Sequence, residues 1–279
     1  MATKNHVNNQ HHTVGEVTHM KEFENKVAIV TGTTGIGRAI AIRLAAGGAN
    51  VTSCGIDAAG NRELQQIADT QKLSLRVEQC DVSQPAPVKA VIAKVSAQHG
   101  GIDFIANAAA IHPFGTTLET DFDTWNKCMA INVGSVYLTS HFGIPEMKKR
   151  GGGSIVILSS VQARACQRGV AVYATSKGAL YSFTRSLALD YAADNIRVNS
   201  ISPGSIRTPM LEKSAAHFSP GAPVDEVVAR FGAQHPLGRV GTVEEVAEMA
   251  AFLFSDRSGF CTGGDYLVDG GLLAGIGVA

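Results

Sequence analysis

The sequence lacks an excess of either charge, a long apolar run, and any cysteine pair at metal-ligand or redox spacing. Its 24 Lys and Arg balance 24 Asp and Glu, so no global basic field exists to hold nucleic acid, and none is expected as a partner. No stretch approaches the roughly 18 uninterrupted apolar residues of a membrane span. Residues 246–254 are the nearest case, and they are few and carry Glu248. The polar N-terminus has no apolar h-region behind Lys4 and does not read as a secretory signal. The five cysteines, Cys54, Cys80, Cys128, Cys166 and Cys261, are odd in number and scattered. That argues against a disulfide framework or a zinc site and for free thiols in a reducing cytoplasm. His6, His11, His12 and His19 lie in the leader without a clear metal geometry, so no metal is expected.

What is present is core-forming material: 45% of the residues are hydrophobic and only 17% charged, far from the composition of disorder. After a leader over residues 1–22, short β-branched runs alternate with Ala-rich segments of helical period. This is the pattern of βαβ units and a parallel sheet covered on both faces. Strands are expected at 26–31, 51–54, 74–79, 104–106, 154–158, 197–201 and 266–268. Helices are expected near 37–47, 60–70, 87–99, 123–150, 173–193 and 243–255. The absence of internal repeats and low-complexity linkers favours one doubly wound α/β domain over 23–279. Residues 204–236, rich in proline and glycine, read as a long loop of the kind used as lids or binding loops.

The first strand runs from Thr31 into Gly32-Thr33-Thr34-Gly35-Ile36-Gly37 and then a helix. Such a turn lets backbone approach a pyrophosphate and aims helix N–H groups at it. Further along, Tyr173-Ala174-Thr175-Ser176-Lys177 places a phenol and an amine one helical turn apart on one face. Ser159-Ser160 closes the fifth strand, and Asn132 lies on the preceding long helix.

Together these residues resemble the short-chain dehydrogenase/reductase family in its compact form, over about 25–272. The resemblance implies a Rossmann-like sheet of about seven strands in the order 3-2-1-4-5-6-7. It implies hydride transfer between a nicotinamide cofactor and a secondary alcohol or ketone, and a catalytic tetrad of Asn132, Ser160, Tyr173 and Lys177. A free phenol titrates near 10, so acting as a base at neutral pH requires the field of Lys177 and of the oxidised nicotinamide. Ser160 would hold the substrate oxygen, Lys177 the nicotinamide ribose, and Asn132 a proton-relaying water. Ser159 should point the opposite way, because strand neighbours alternate.

The glycine turn, T-G-x-x-G-x-G, is one residue shorter than the compact family's T-G-x-x-x-G-x-G. Expected cofactor contacts are Gly32, Thr34, Gly35, Ile36 and Gly37 at the phosphates and Asp81 and Val82 at the adenine. Asn107 and Ala108 follow the fourth strand, and Pro203, Gly204, Ile206 and Thr208 lie near the carboxamide. Tyr173 and Lys177 complete the set. Asp57 is positioned to take the ribose hydroxyls, which leans to NAD without excluding NADP; it reads equally as a turn residue, and Asp81 equally as a cap.

Substrate contacts are expected from Ser160, Gln162, Arg168, Tyr173 and Arg207, with His112, Phe114, Arg164 and His217 nearby. The arginines raise the idea of an acidic substrate, a sugar acid or hydroxy acid, beside a polyol; surface arginines are the plainer reading. The alternative to an enzyme is a catalytically silent dinucleotide-binding regulator, to which the shortened turn and Ala108 and Ala110 point. The complete tetrad favours the enzyme. Apolar faces on the helices at 123–150 and 173–193 and the apolar tail at 272–279 point to a homo-oligomer, a tetramer or dimer.

Overall fold

The computed structural model describes residues 22–275. The expected leader, but for its last residue, and the end of the apolar tail therefore lie outside the described residues. Seven parallel strands form one sheet in the order β3-β2-β1-β4-β5-β6-β7, as the resemblance implied. They are β1 (Val27–Thr31), β2 (Asn50–Gly55), β3 (Leu75–Gln79), β4 (Phe104–Asn107), β5 (Gly153–Leu158), β6 (Ile196–Pro203) and β7 (Asp265–Val268). The connecting helices are α1 (Gly35–Ala46), α2 (Ala58–Gln71), α3 (Pro85–His99), α4 (Phe122–Met129), α5 (Ser135–Lys148), α6 (Ala171–Tyr191), α7 (Pro209–Phe218), α8 (Val224–Gly232) and α9 (Val243–Phe254).

β1 is buried on both faces because its successive side chains serve two different cores. Ala28 and Val30 pack with Ile40 and Leu44 of α1 and Val246 and Ala250 of α9. Val27 and Ile29 pack with Val91 of α3, Ile144 and Met147 of α5 and Leu180 of α6. Register brings the strand ends into one row: Thr31 pairs with Asn107, Asn107 with Ile157, and Leu158 with Ile201. The chain leaves β1 and β4 on this edge in opposite senses, one to the β2 side and one to the β5 side. That divergence opens the crevice in which doubly wound sheets bind ligands.

Two expectations about the helices are corrected. The helix expected over 123–150 is interrupted: α4 and α5 are joined by a π-helical turn, Ala130–Gly134, with Asn132 inside it. Periodicity does not reveal one extra residue per turn, and such turns concentrate at functional positions. The stretch read as a loop contains α7 and α8. Pro209 is the first residue of α7, capped by Thr208 Oγ1 accepting from Leu211 N at 3.2 Å. There a proline opens a helix rather than breaking one. Both helices close over a small apolar cluster of Ala215, Val227 and Val228.

Asp103 anchors the far end of the sheet. Its carboxylate accepts from Val27 N at 2.8 Å and from Arg150 NH2 at 3.0 Å, tying β1, β4 and the end of α5 together while 5% exposed. Replacing it leaves the buried Val27 amide unpaired and takes from Arg150 its carboxylate partner, leaving only the Asn25 carbonyl. Asp103→Ala is expected to lower the unfolding free energy by about 2–3 kcal/mol in urea titration at neutral pH; a change within error would remove this anchor from the account.

Candidate active site

The turn after β1 keeps a usable shape despite its length. Gly32 has φ +94°, and a Cβ there would press on the Ala108 backbone at 3.3 Å, so the turn and the segment after β4 touch directly. Thr33 Oγ1 donates to Asn61 Oδ1 at 2.7 Å, and Asn61 Nδ2 donates to the Gly55 carbonyl at 3.0 Å, fastening the turn to the end of β2. Thr34 is the N-cap of α1 but makes no side-chain cap. The first-turn N–H groups, Gly35, Ile36 and Gly37 among them, lack intrahelical acceptors and face the row of strand ends.

The remaining predicted cofactor residues divide into two groups. Ala108, Ile36, Pro203, Gly204, Ile206 and Thr208 line one cavity of about 540 Å³ together with Tyr173 and Lys177. Asp57, Asp81, Val82 and Asn107 do not line it. Asp57 Oδ1 caps α2 by accepting from Ala59 N at 3.1 Å, and Asp81 Oδ1 accepts from the amide and hydroxyl of Ser83. Val82 is buried in the core. Asn107 Oδ1 accepts from Thr139 Oγ1 at 2.7 Å, whereas its buried Nδ2 has no partner.

The tetrad residues are brought together at the ends of β5 and α6. Ser160 Oγ accepts from Gln162 N at 3.1 Å and shares a hydrogen bond with the Tyr173 hydroxyl. Lys177 is buried and donates from Nζ to the Leu158 carbonyl at 2.6 Å, with its ammonium 5.5 Å from the centre of the Tyr173 ring. Ser159 turns the other way and donates to the Lys177 carbonyl at 3.1 Å. The Asn132 side chain is buried and bonded to its neighbours. Its amide accepts from Ile111 N at 2.9 Å and donates to Ile111 O at 3.0 Å and Ser176 Oγ at 2.9 Å. The π-turn thus clasps the irregular segment that follows β4, and Ser176 is a member of this junction that spacing alone did not signal.

Burial dominates the electrostatics of the Tyr173–Lys177 pair. Burial pushes the Tyr173 phenol up to about 12, against the opposing pull of the Ser160 hydrogen bond. Burial also pushes Lys177 down to about 8. The ammonium one turn away does not make the phenol acidic by itself, because the same desolvation acts on both groups.

The substrate side of the cavity is formed by Ser160, Gln162, Ala165, Cys166 and Gln167, by His112, and by Met210, Leu211 and Ser214 of α7. His112 meets the Tyr173 ring edge-on with centroids 4.1 Å apart, and Phe114 stacks on His217 of α7 at 3.9 Å. The predicted arginines are elsewhere. Arg207 pairs with Glu212 and Asp225 at 3.1 and 2.8 Å, Arg164 holds Asp265 at 2.8 Å, and Arg168 is exposed; none of them lines the cavity. A second hollow of about 600 Å³ between α9 and β7 contains none of the tetrad. All five cysteines are unpaired. Among the described residues, no group of three or more His, Cys, Asp or Glu is placed to hold a metal ion, and no helix is long and apolar enough to cross a membrane.

Comparison with known proteins places relatives around this geometry. The family model described as "Enoyl-(Acyl carrier protein) reductase" matches residues 30–273. A dehydrogenase/reductase SDR family member 4 from Oryctolagus cuniculus is 36% identical over 257 residues, covering 91% of this chain and 96% of the relative. The ligand-free aldohexose dehydrogenase of Thermoplasma acidophilum superposes with a TM-score of 0.85 at 34% identity, covering 93% of this chain and 98% of that one. An actinorhodin polyketide ketoreductase with NADPH superposes with a TM-score of 0.85 at 30% identity, over 91% and 98% of the two chains.

His112 gives the site a pH signature. Burial, aided by the Lys177 charge, pushes its imidazole from the usual 6.5 down to about 4. The unfolded chain therefore binds this proton more readily than the folded one between about pH 6.5 and 4, and stability contributed above that window is lost as pH falls through it. The stability of the parent is expected to decline more steeply over this interval than that of His112→Asn, measured by thermal unfolding at stepped pH. Parallel curves would show that the imidazole is not held neutral.

Proposed function

The chain belongs to the short-chain dehydrogenase/reductase family, and on that premise we propose that it is an NAD-dependent oxidoreductase of a secondary alcohol or ketone, with Tyr173 as general acid/base. One observation carries the reading: Ser160, Tyr173 and Lys177 share the wall of a cavity that also reaches Ile36 in the first turn of α1. The residues suit a nicotinamide dinucleotide. An uncapped helix N-terminus offers amide donors to a pyrophosphate, and the backbone at Gly32 leaves no room for a side chain that would fill the approach. When bound, the nicotinamide supplies or accepts the hydride.

In reduction, Tyr173 gives its phenolic proton to the substrate oxygen; in oxidation, it takes that proton back. Ser160 Oγ, already bonded to Tyr173, holds the same oxygen as charge develops on it. Lys177, fixed by the Leu158 carbonyl, stabilises the phenolate through its charge and has further N–H donors for the ribose. Asn132 acts as a positioning residue, holding the Ile111 backbone and Ser176 in place beside Tyr173. The adenosine end falls to Asp57, Asp81, Val82 and Asn107, which ring the ends of β2, β3 and β4 outside the cavity. A silent regulator would have no need of this complete set.

NAD is the favoured cofactor because Asp57 ends the β2 turn and repels a 2′-phosphate, while Arg38 is held by Glu63 in two hydrogen bonds of 2.6 and 2.7 Å. Five unpaired thiols suit a reducing cytoplasm. Leu189 on α6 and Tyr137 on α5, 82% and 52% exposed, suit a homo-oligomer, dimer or tetramer, built on these helices.

Tyr173→Phe is expected to lower kcat/KM for any alcohol turned over by about 10²–10⁴ while still binding the dinucleotide, followed by absorbance at 340 nm and by calorimetry. Turnover at the parent rate would remove Tyr173 from the chemistry, and a parent that binds NAD⁺ yet turns over no alcohol or ketone would favour the silent reading. In calorimetric titration NAD⁺ is expected to bind at least about tenfold more tightly than NADP⁺, a difference of about 1.4 kcal/mol; the reverse order would assign the site to NADP.

A further inference from the structure

Two polar atoms beside the Ser160–Tyr173 pair are buried and have no partner: His112 Nδ1 and Gln162 Oε1. Both residues line the same cavity. Each residue also touches the reacting pair, His112 through its ring on Tyr173 and Gln162 through its backbone N–H, which donates to Ser160 Oγ. A buried donor or acceptor left unmade is costly, so such atoms mark where a ligand or water completes the site. Gln162 Oε1 only accepts, so whatever satisfies it must bring a proton, as a hydroxyl does and a carboxylate does not.

The charges around the cavity point the same way. Lys177 is the one charged side chain among its described lining residues, and it is already bonded to Leu158 O. Arg164 and Arg207, the groups that would clamp an acid, are spent on Asp265 and on Glu212 and Asp225. A carboxylate would therefore enter without a dedicated counter-ion and would face the Gln162 carbonyl oxygen.

We propose that His112 and Gln162 are the specificity-determining residues and that the substrate is an uncharged polyhydroxy compound. The hydroxyl next to the reacting carbon donates to Gln162 Oε1, and the oxygen of that same hydroxyl engages His112 Nδ1. This rests on the dehydrogenase reading above and narrows its substrate class. Met210, Leu211 and Phe231 supply an apolar wall for the carbon skeleton.

The test uses the full-length protein with NAD⁺ and three matched probes: cyclohexanol, trans-1,2-cyclohexanediol and 2-hydroxycyclohexanecarboxylate. The parent is expected to favour the diol over cyclohexanol by about tenfold or more in kcat/KM, with the acid poorest. His112→Phe, which keeps a ring against Tyr173, and Gln162→Leu should each carry that ratio most of the way to one. A ratio that survives both substitutions, or an acid turned over better than the diol, overturns the proposal. Imidazole ¹⁵N shifts of the parent give a readout independent of turnover and of the folding of the variants. Movement of the His112 signal by the diol and not by cyclohexanol supports the proposal even if no probe is oxidised, in which case the dehydrogenase reading alone fails. An unmoved signal at saturating diol overturns it and leaves water as the partner of Nδ1.

Discussion

A buried ammonium sets the geometry of the site. Lys177 lies inside α6 with its amine 2.6 Å from the carbonyl of Leu158, the last residue of β5. A cation taken out of water costs several kcal/mol unless its protons are met, so this contact holds the helix against the end of the strand. The Ser159 hydroxyl closes the same junction by donating to the Lys177 carbonyl. Ser160 then begins where β5 stops, and Tyr173, one turn before Lys177, falls within hydrogen-bond reach of it. The price of this arrangement is a phenol and an amine that both resist charging.

The shortened glycine turn is accommodated by neighbours rather than by the loop alone. Thr33 and Asn61 fasten it to β2, and Arg38 donates to the Thr33 carbonyl at 3.2 Å while gripping Glu63. Across the crevice, Thr31 Oγ1 accepts from the amides of Ala108 and Ala109 at 3.1 and 3.2 Å. These backbone contacts join the ends of β1 and β4, so the strand ends that frame the crevice stay parallel and close. On the opposite side, the π-turn at Asn132 clasps Ile111 and so fixes where His112 meets Tyr173. Substrate selection and acid/base geometry are therefore mechanically linked through one short segment after β4.

The architecture was legible in the sequence because its strands are β-branched runs separated by helices of clear period. Their order was implied by the resemblance to the short-chain dehydrogenase/reductase family, and right-handed crossovers are consistent with it. Tyr173, Lys177 and Ser160 were legible for a related reason: local spacing on a helix and at a strand end already sets their relative direction. Where the reading went astray, the missing information was tertiary. Prolines in 204–236 suggested a loop, but Thr208-Pro209 is a helix start whose helix is held by an apolar cluster assembled from two segments. Arg164 and Arg207 read equally as a clamp for an acid or as surface charges, and what they face was decided by Asp265, Glu212 and Asp225, residues brought near only by folding.

The sequence by itself determined the alternation of strands and helices that makes a parallel sheet, and the phenol and amine one turn apart on one helix face, since periodicity and helix spacing are local properties of the chain; the strand order and the joining of Ser160 to that pair were implied by the family resemblance. Only the tertiary structure decided which polar atoms are left without partners and which charges are already spent. Burial and pairing are properties of the packed molecule, set by side chains far apart in the chain.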